Sequence, residues 1–163
     1  MAEYVRKVVL LGDPMVGKTS LVQRFVKDMF DERYLSTIGA KPSKKVVKCG
    51  GHTVSLMIWD LAGHSYGLRS GFYAGAKGAL LVCDITRRDT LNSLNSWYSA
   101  LAKEVGDVPA IALVNKSDMD EREFGLDEAG VQGFPTLLTS AKTGANVNEA
   151  FTQLTEAVIR ARR

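Results

Sequence analysis

The octapeptide GDPMVGKT at residues 12–19 constrains the fold of this chain more than any other stretch. An apolar run typical of a strand precedes it at residues 5–11, and residues 17–26 follow with apolar positions at helical spacing. A glycine-rich turn between a strand and a helix points successive backbone N–H groups inward, where they can hold phosphates. In this pattern the Lys18 ammonium would contact the β- and γ-phosphates, and the Thr19 hydroxyl would ligate Mg²⁺. The motif predicts a phosphate-binding loop but does not select the nucleotide or the reaction.

β-rich runs alternate with helical patterns along all 163 residues, without a repeat or a linker. We predict strands at 5–11, 44–49, 53–59, 78–83, 109–114 and 136–139, and helices at 17–26, across 91–101 and at 147–158. Gly50-Gly51 suits the primed turn of a hairpin, which would supply one antiparallel strand. The pattern predicts a single α/β domain over residues 1–163, with six strands in a mostly parallel, doubly wound sheet. Ligands of such sheets bind at the carboxyl ends of the strands.

Two helices carry further expectations. Asp89 or Thr90 is expected to cap the helix across 91–101. In the last helix, one apolar stripe is expected to comprise Val147, Ala150, Phe151, Leu154, Ala157 and Val158. Basic residues at its end suit the negative end of the helix dipole, namely Arg160, Arg162 and Arg163.

Composition excludes several classes of function. The net charge of +3 is mild and acidic residues are interspersed, so no nucleic-acid partner is predicted. Cys49 and Cys83 lack metal-ligand spacing and are expected to be buried thiols in a reducing cytosol. No signal peptide or apolar span is present, residue 2 is not glycine, and the terminal RARR lacks cysteine. We therefore expect a cytoplasmic protein with no membrane anchor in this chain.

Two polar segments follow later strands and favour one particular base. In LVNKSD, Asp118 can accept two hydrogen bonds from the N1–H and amine edge of guanine, which adenine lacks. Asn115 and Lys116 would hold neighbouring loops and flank the ring. In TSAK, at residues 139–142, the backbone N–H of Ala141 could donate to the guanine oxygen. Each tetrapeptide is weak alone, but in this order after a phosphate loop they predict a guanine nucleotide.

The chain resembles the Ras-superfamily small GTPases, and specifically their Rab-like branch. The resemblance covers nearly the whole chain, from KVVLLGDPMVGKTSLVQRF through YLSTIG, IWDLAG, GALLVCDIT and NKSD to TSAKTG. It implies a P-loop NTPase G domain with about five helices on both faces of the sheet. It also implies binding of GTP or GDP with Mg²⁺, slow GTP hydrolysis, and two nucleotide-sensitive loops at about 28–41 and 61–73. An exchange factor, a GTPase-activating protein and an effector are implied partners.

The resemblance also assigns roles to single residues. Thr37 would contact Mg²⁺ and the γ-phosphate, Asp60 would hold Mg²⁺ through water, and the Gly63 N–H would bond the γ-phosphate. Phe30 would pack against the guanine, or alternatively anchor its loop as a surface hydrophobe. The predicted nucleotide site comprises Asp13, Pro14, Met15, Val16, Gly17, Lys18, Thr19, Ser20, Phe30, Tyr34, Thr37, Gly63, Asn115, Lys116, Asp118, Ser140, Ala141 and Lys142, and the predicted catalytic residues are His64, Lys18 and Gly63.

His64 departs from the family pattern, which has a water-orienting glutamine after Ala-Gly. Three interpretations stay open. His64 positions water less efficiently, it is a bystander and a partner supplies the residue, or it acts as a general base. The first hypothesis is thus a slow GTPase switch, and the alternative is a nucleotide-dependent binding module with negligible hydrolysis. An ATP-using kinase is disfavoured by NKSD and by the lack of a lid-like arginine cluster.

Pro14 is a second departure, because it removes an N–H and adds a ring where a partner's arginine would enter. The proline either hinders the entry of that arginine or only stiffens the loop. If a partner's arginine is hindered, Arg33 or Arg69 could contribute from within the chain, although both also suit a solvated surface.

A third departure is the basic stretch at residues 41–48. Its lysines either protect an edge strand or form a surface for an acidic partner. The missing lipidation site is a fourth, and it fits a truncated chain or a naturally soluble GTPase.

Overall fold

A computed structural model describes residues 3–30, 42–60, 72–130 and 133–161 of the chain. Within these ranges it contains six strands and five helices. In chain order they are β1 (Glu3–Leu11), α1 (Lys18–Lys27), β2 (Pro42–Cys49), β3 (His52–Asp60), β4 (Ala76–Asp84), α2 (Arg88–Asn92), α3 (Leu94–Val105), β5 (Ala110–Asn115), α4 (Leu126–Gly130), β6 (Thr136–Leu138) and α5 (Val147–Arg160).

The strands form one sheet in the order β2-β3-β1-β4-β5-β6. The pairs β1–β3, β1–β4, β4–β5 and β5–β6 are parallel, and β2 pairs antiparallel with β3. The β2–β3 hairpin turns at Gly50 and Gly51, whose φ angles of 56° and 79° fit a primed turn. The predicted fold class, a mostly parallel six-stranded sheet with one antiparallel strand, is confirmed.

Helices cover both faces of the sheet because alternate strand residues point to opposite sides. Val8 and Leu10 of β1 join a core cluster with apolar residues of α1 and α5. Val9 and Leu11 join a second cluster with residues of α2, α3 and α4. All four side chains are fully buried. This layering leaves the strand ends as the place where polar loops collect.

The helix predicted across 91–101 is two helices, α2 and α3, separated at Ser93. The predicted cap was wrong: α2 has Arg87 at its N-cap, and Asp89 and Thr90 lie within the helix. The Thr90 hydroxyl instead donates to the Arg87 carbonyl at 2.7 Å and accepts from the Asp84 N–H at 2.8 Å. That hydroxyl fastens α2 to the end of β4.

The apolar stripe of α5 is slightly rotated from the predicted one. Thr155 and Ile159 are buried, whereas Ala157 is only half-buried. The Thr155 hydroxyl donates to the Phe151 carbonyl at 2.7 Å, which lets a polar side chain lie in the core. Arg160 occupies the last turn as expected, and 162–163 lie outside the described residues.

Both cysteines are free thiols. The predicted burial is confirmed for Cys83, but it was wrong for Cys49, which is half-buried. Across the described ranges, no group of three or more His, Cys, Asp and Glu side chains is arranged to hold a metal ion. In the same ranges, no helix is long and apolar enough to cross a membrane.

The edge strand β2 separates its lysines between two faces. Lys44 and Lys48 are exposed, whereas the Lys45 Nζ lies 5.2 Å from the centre of the Phe25 ring. Lys41 lies outside the described residues. Lys44 and Lys48 are therefore the lysines that could protect the edge strand or contact an acidic partner, and both interpretations stay predictions.

Candidate functional site

The phosphate loop runs from the end of β1 to the start of α1, and its backbone fits closely against β5. Gly17 has a φ of 104°, and a Cβ there would lie 2.3 Å from Asn115 Nδ2. Any larger residue would meet both backbone strain and a steric clash. The motif glycine at this position is thus explained by the approach of the Asn115 side chain at the end of β5.

Lys18 lies folded back over the loop that precedes it. Its Nζ donates to the carbonyls of Gly12 at 2.8 Å and Asp13 at 2.9 Å, and its side chain is buried. Burial lowers the pKa of Lys18, while Asp60 and Asp13 act to raise it. The ammonium is therefore held where a phosphate could replace the carbonyls as its partner.

Two residues of the NKSD segment bind the outer side of the phosphate loop. Asn115 Nδ2 donates to the Val16 carbonyl at 2.8 Å, and its Oδ1 accepts from the Thr139 hydroxyl at 3.1 Å. Lys116 Nζ donates to the Met15 carbonyl at 2.9 Å. The phosphate loop and the segments after β5 and β6 are thus joined directly, as expected of Asn115 and Lys116.

Asp118 is held by the loop after β6. The Ser140 hydroxyl donates to Asp118 Oδ1 at 2.6 Å and accepts from the Thr143 N–H at 3.1 Å. The adjoining Ala141 and Lys142 carbonyls accept from one guanidinium of α1, that of Arg24, at 2.8 Å and 2.5 Å. These bonds fix the carboxylate and the neighbouring TSAK backbone, two features of the predicted guanine site.

Thr19 and Asp60 are brought together from α1 and β3. The Thr19 hydroxyl donates to Asp60 Oδ2 at 2.5 Å. A hydroxyl and a carboxylate are the hard oxygen ligands that Mg²⁺ prefers. The pair therefore fits the predicted metal site.

Sequence reasoning missed three residues that contact the phosphate loop, and it missed Asp84, which pairs with one of them. The Asp13 carboxylate accepts from Ser93 Oγ at 2.9 Å and from Trp97 Nε1 at 3.0 Å. Arg87 donates from Nη2 to the Pro14 carbonyl at 2.9 Å, and Asp84 pairs with Arg87 Nε at 3.2 Å. For Asp84 and Arg87, the available signal was their place just after a buried apolar strand.

Several predicted site residues are placed without a tested role. Met15 is exposed with a φ of 67°, Ser20 is half-buried in α1, and Phe30 packs partly buried against the cluster of α1 and α5. The predicted residues Tyr34, Thr37, Gly63 and His64, and the alternatives Arg33 and Arg69, lie outside the described residues.

The sheet order and the joined loops define a phosphate-loop protein of the α/β class. The model of the Ras family matches residues 7–160. Ras-related protein SEC4 of Saccharomyces cerevisiae is 35% identical over 163 residues, covering 96% of this chain and 76% of that protein. Ras-related protein Rab-8B of Homo sapiens is 36% identical over 157 residues, with coverages of 91% and 76%. RABD2a of Arabidopsis thaliana is 35% identical, with coverages of 96% and 81%. The chain belongs to the Ras family, and it is a Rab-like small GTPase.

Proposed function

We propose that this small GTPase is a molecular switch that binds GTP or GDP with Mg²⁺ and hydrolyses GTP slowly. The observation that carries the proposal is the pair of hydrogen bonds from Asn115 and Lys116 to the Val16 and Met15 carbonyls. They join a phosphate loop to a segment with guanine-recognising chemistry. One nucleotide could therefore use both loops at the carboxyl end of the sheet.

Guanine selection would fall to Asp118. Its carboxylate can accept from the N1–H and the exocyclic amine of guanine, and the bond from Ser140 supports that orientation. The Ala141 N–H would donate to the guanine oxygen. Adenine cannot satisfy these groups, and discrimination of about 10⁴ is attainable when buried polar groups are left unpaired.

Thr19 and Asp60 would hold Mg²⁺, Asp60 through water, with Thr37 completing the set. Their hydroxyl and carboxylate oxygens lie within one hydrogen bond of each other, which supports this assignment for the first two. When bound, Mg²⁺ would neutralise charge on the β- and γ-phosphates.

Hydrolysis would proceed by in-line attack of water on the γ-phosphate. Lys18 and the N–H groups of the phosphate loop, with that of Gly63, would stabilise the charge that develops on the phosphate oxygens. His64 would orient the water less efficiently than an amide, which is the reason for proposing a slow rate. A histidine at this position also favours a second candidate, a binding module in which GTP occupancy alone carries the signal.

As a switch, the protein would change shape in the segments at about 28–41 and 61–73, ordered by the γ-phosphate. An exchange factor, a GTPase-activating protein and an effector would set and read its state. The cycle would take place in the cytoplasm, a reducing compartment in which two free thiols would persist.

The test is single-turnover hydrolysis of preloaded GTP with Mg²⁺, comparing the wild-type chain with His64→Gln. We expect GTP and GDP, but not ATP, to load, and GTP to turn over slowly. We expect His64→Gln to raise the rate if the histidine orients water poorly. An Asp118→Ala variant is the control for base recognition, and it should lose guanine nucleotide without losing the fold.

The outcomes separate the two candidates. Measurable turnover in the wild-type chain supports a switch that resets itself. Loading without detectable turnover supports the binding module, or a switch whose hydrolysis waits for a partner. Loading of ATP in place of GTP would contradict both.

A further inference from the structure

Side chains donate hydrogen bonds to three successive backbone carbonyls on the outer side of the phosphate loop. Besides the bonds to Met15 and Val16, the Pro14 carbonyl accepts from Arg87 Nη2 at 2.9 Å. Arg87 lies just after β4, between the strand and α2. It is therefore an arginine that contacts the loop from outside the two recognised motifs.

Arg87 is fixed at two points. While Nη2 bonds the Pro14 carbonyl, Nε pairs with Asp84 Oδ2 at 3.2 Å. Asp84 is 1% exposed, and the same oxygen pairs with Lys116 Nζ at 2.9 Å. One buried carboxylate thus holds two cations, and these cations bond the adjacent carbonyls of Pro14 and Met15.

A cation that bonds a carbonyl oxygen polarises the peptide, and so makes the N–H of that peptide a stronger hydrogen-bond donor. The peptide that carries the Pro14 carbonyl also carries the Met15 N–H, and hydrogen bonds in series polarise one another. Proline itself supplies no N–H, so the Met15 N–H is the first backbone donor of the loop after Asp13. Holding this peptide by its carbonyl would keep that donor turned toward a phosphate.

We propose that Arg87 is a positioning residue that, with Asp84, fixes the Pro14–Met15 peptide and strengthens binding of the nucleotide phosphates. The proposal rests on the proposed guanine-nucleotide function. The planar guanidinium suits this role because it can bond Asp84 and the Pro14 carbonyl at once.

Release of a fluorescent GDP analogue, measured by stopped flow with Mg²⁺, tests this role. We expect Arg87→Ala to release it about tenfold faster than the wild-type chain. Arg87→Lys should be intermediate, because an ammonium keeps the charge but not the two-point contact. Arg88→Ala is the matched control and should stay within about twofold. Arg88 bonds Glu123 and Glu128 at the surface.

A second measurement separates positioning from a loosened fold. The ³¹P resonances of bound GDP should shift in Arg87→Ala and stay unchanged in Arg88→Ala. Release within twofold of the wild-type rate in Arg87→Ala would overturn the proposal, and so would faster release with unchanged ³¹P resonances. An Arg87→Lys variant equal to wild type would overturn the two-point hold. Failure of the wild-type chain to bind GDP would instead contradict the proposed function on which this role rests.

Discussion

At the scale of single residues, Gly17 is a position of the phosphate loop that leaves no room for a Cβ. Gly17→Ala would combine a left-handed φ with a Cβ 2.3 Å from Asn115 Nδ2. Gly50→Ala would impose a left-handed φ alone, because no atom of the described residues lies within 4 Å of a Cβ there. We expect urea unfolding to show a loss of about 1 kcal/mol for Gly50→Ala. Gly17→Ala should lose more, and it alone should weaken GDP binding. Equal GDP affinity in the two variants would contradict the close approach of Asn115.

Asp84 is the residue whose ionisation should make stability depend on pH. Burial acts to raise the pKa of Asp84, but hydrogen bonds from Thr86 and Lys116, with the Lys116 charge, hold it below its usual value of 3.8. A carboxyl with a depressed folded-state pKa stabilises the protein above its unfolded-state pKa, and that contribution is lost as pH falls through the folded-state value.

We therefore expect Asp84→Asn to lose about 2 kcal/mol of unfolding free energy at pH 7. The gap from wild type should narrow as the pH falls below about 4, because the carboxyl of the unfolded chain takes up its proton there while the folded-state carboxyl stays ionised to a lower pH. Urea unfolding between pH 3 and 7 measures the loss at pH 7 and the narrowing at lower pH. Asp127→Asn, in the exposed first turn of α4, is the control. A gap that stays constant over this range would show that Asp84 acts through packing rather than charge.

At the scale of elements, α5 packs against β4 where β4 has no side chain. A Cβ at Gly78 would lie 2.7 Å from Val158 Cγ2 and 3.1 Å from Leu154 Cδ1. Overpacking of this kind costs about 1–3 kcal/mol. We expect Gly78→Ala to lower the unfolding free energy by that amount in urea. Gly125→Ala should be nearly neutral, since no atom of the described residues lies within 4 Å of its Cβ position. Equal stability of the two variants would contradict the packing of α5 on β4.

The sequence predicted the elements that carry a regular apolar pattern. It predicted less well the positions where a polar side chain bonds a distant loop. The strands after β1 were predicted to within about two residues because apolar runs carry their own signal. The break at Ser93 was missed, because apolar spacing continues across it while the Ser93 hydroxyl bonds Asp13 in a distant loop. Likewise the motifs predicted Asn115, Lys116 and Asp118, but Arg87 belongs to no motif. Its partners are set by tertiary contacts, which a local pattern does not contain.

At the scale of the whole molecule, the loops of the candidate site come together only when the sheet has formed, so nucleotide binding and global stability should be coupled. Cys83, fully buried in β4, can report this coupling. Burial raises the pKa of its thiol to about 12, so it should react with a thiol reagent only after unfolding. In a Cys49→Ser variant, we expect GDP at 100 times its Kd to slow labelling of Cys83 about 100-fold. Labelling that is insensitive to GDP would mean that β4 opens without disrupting the site, and the coupling through the sheet would be wrong.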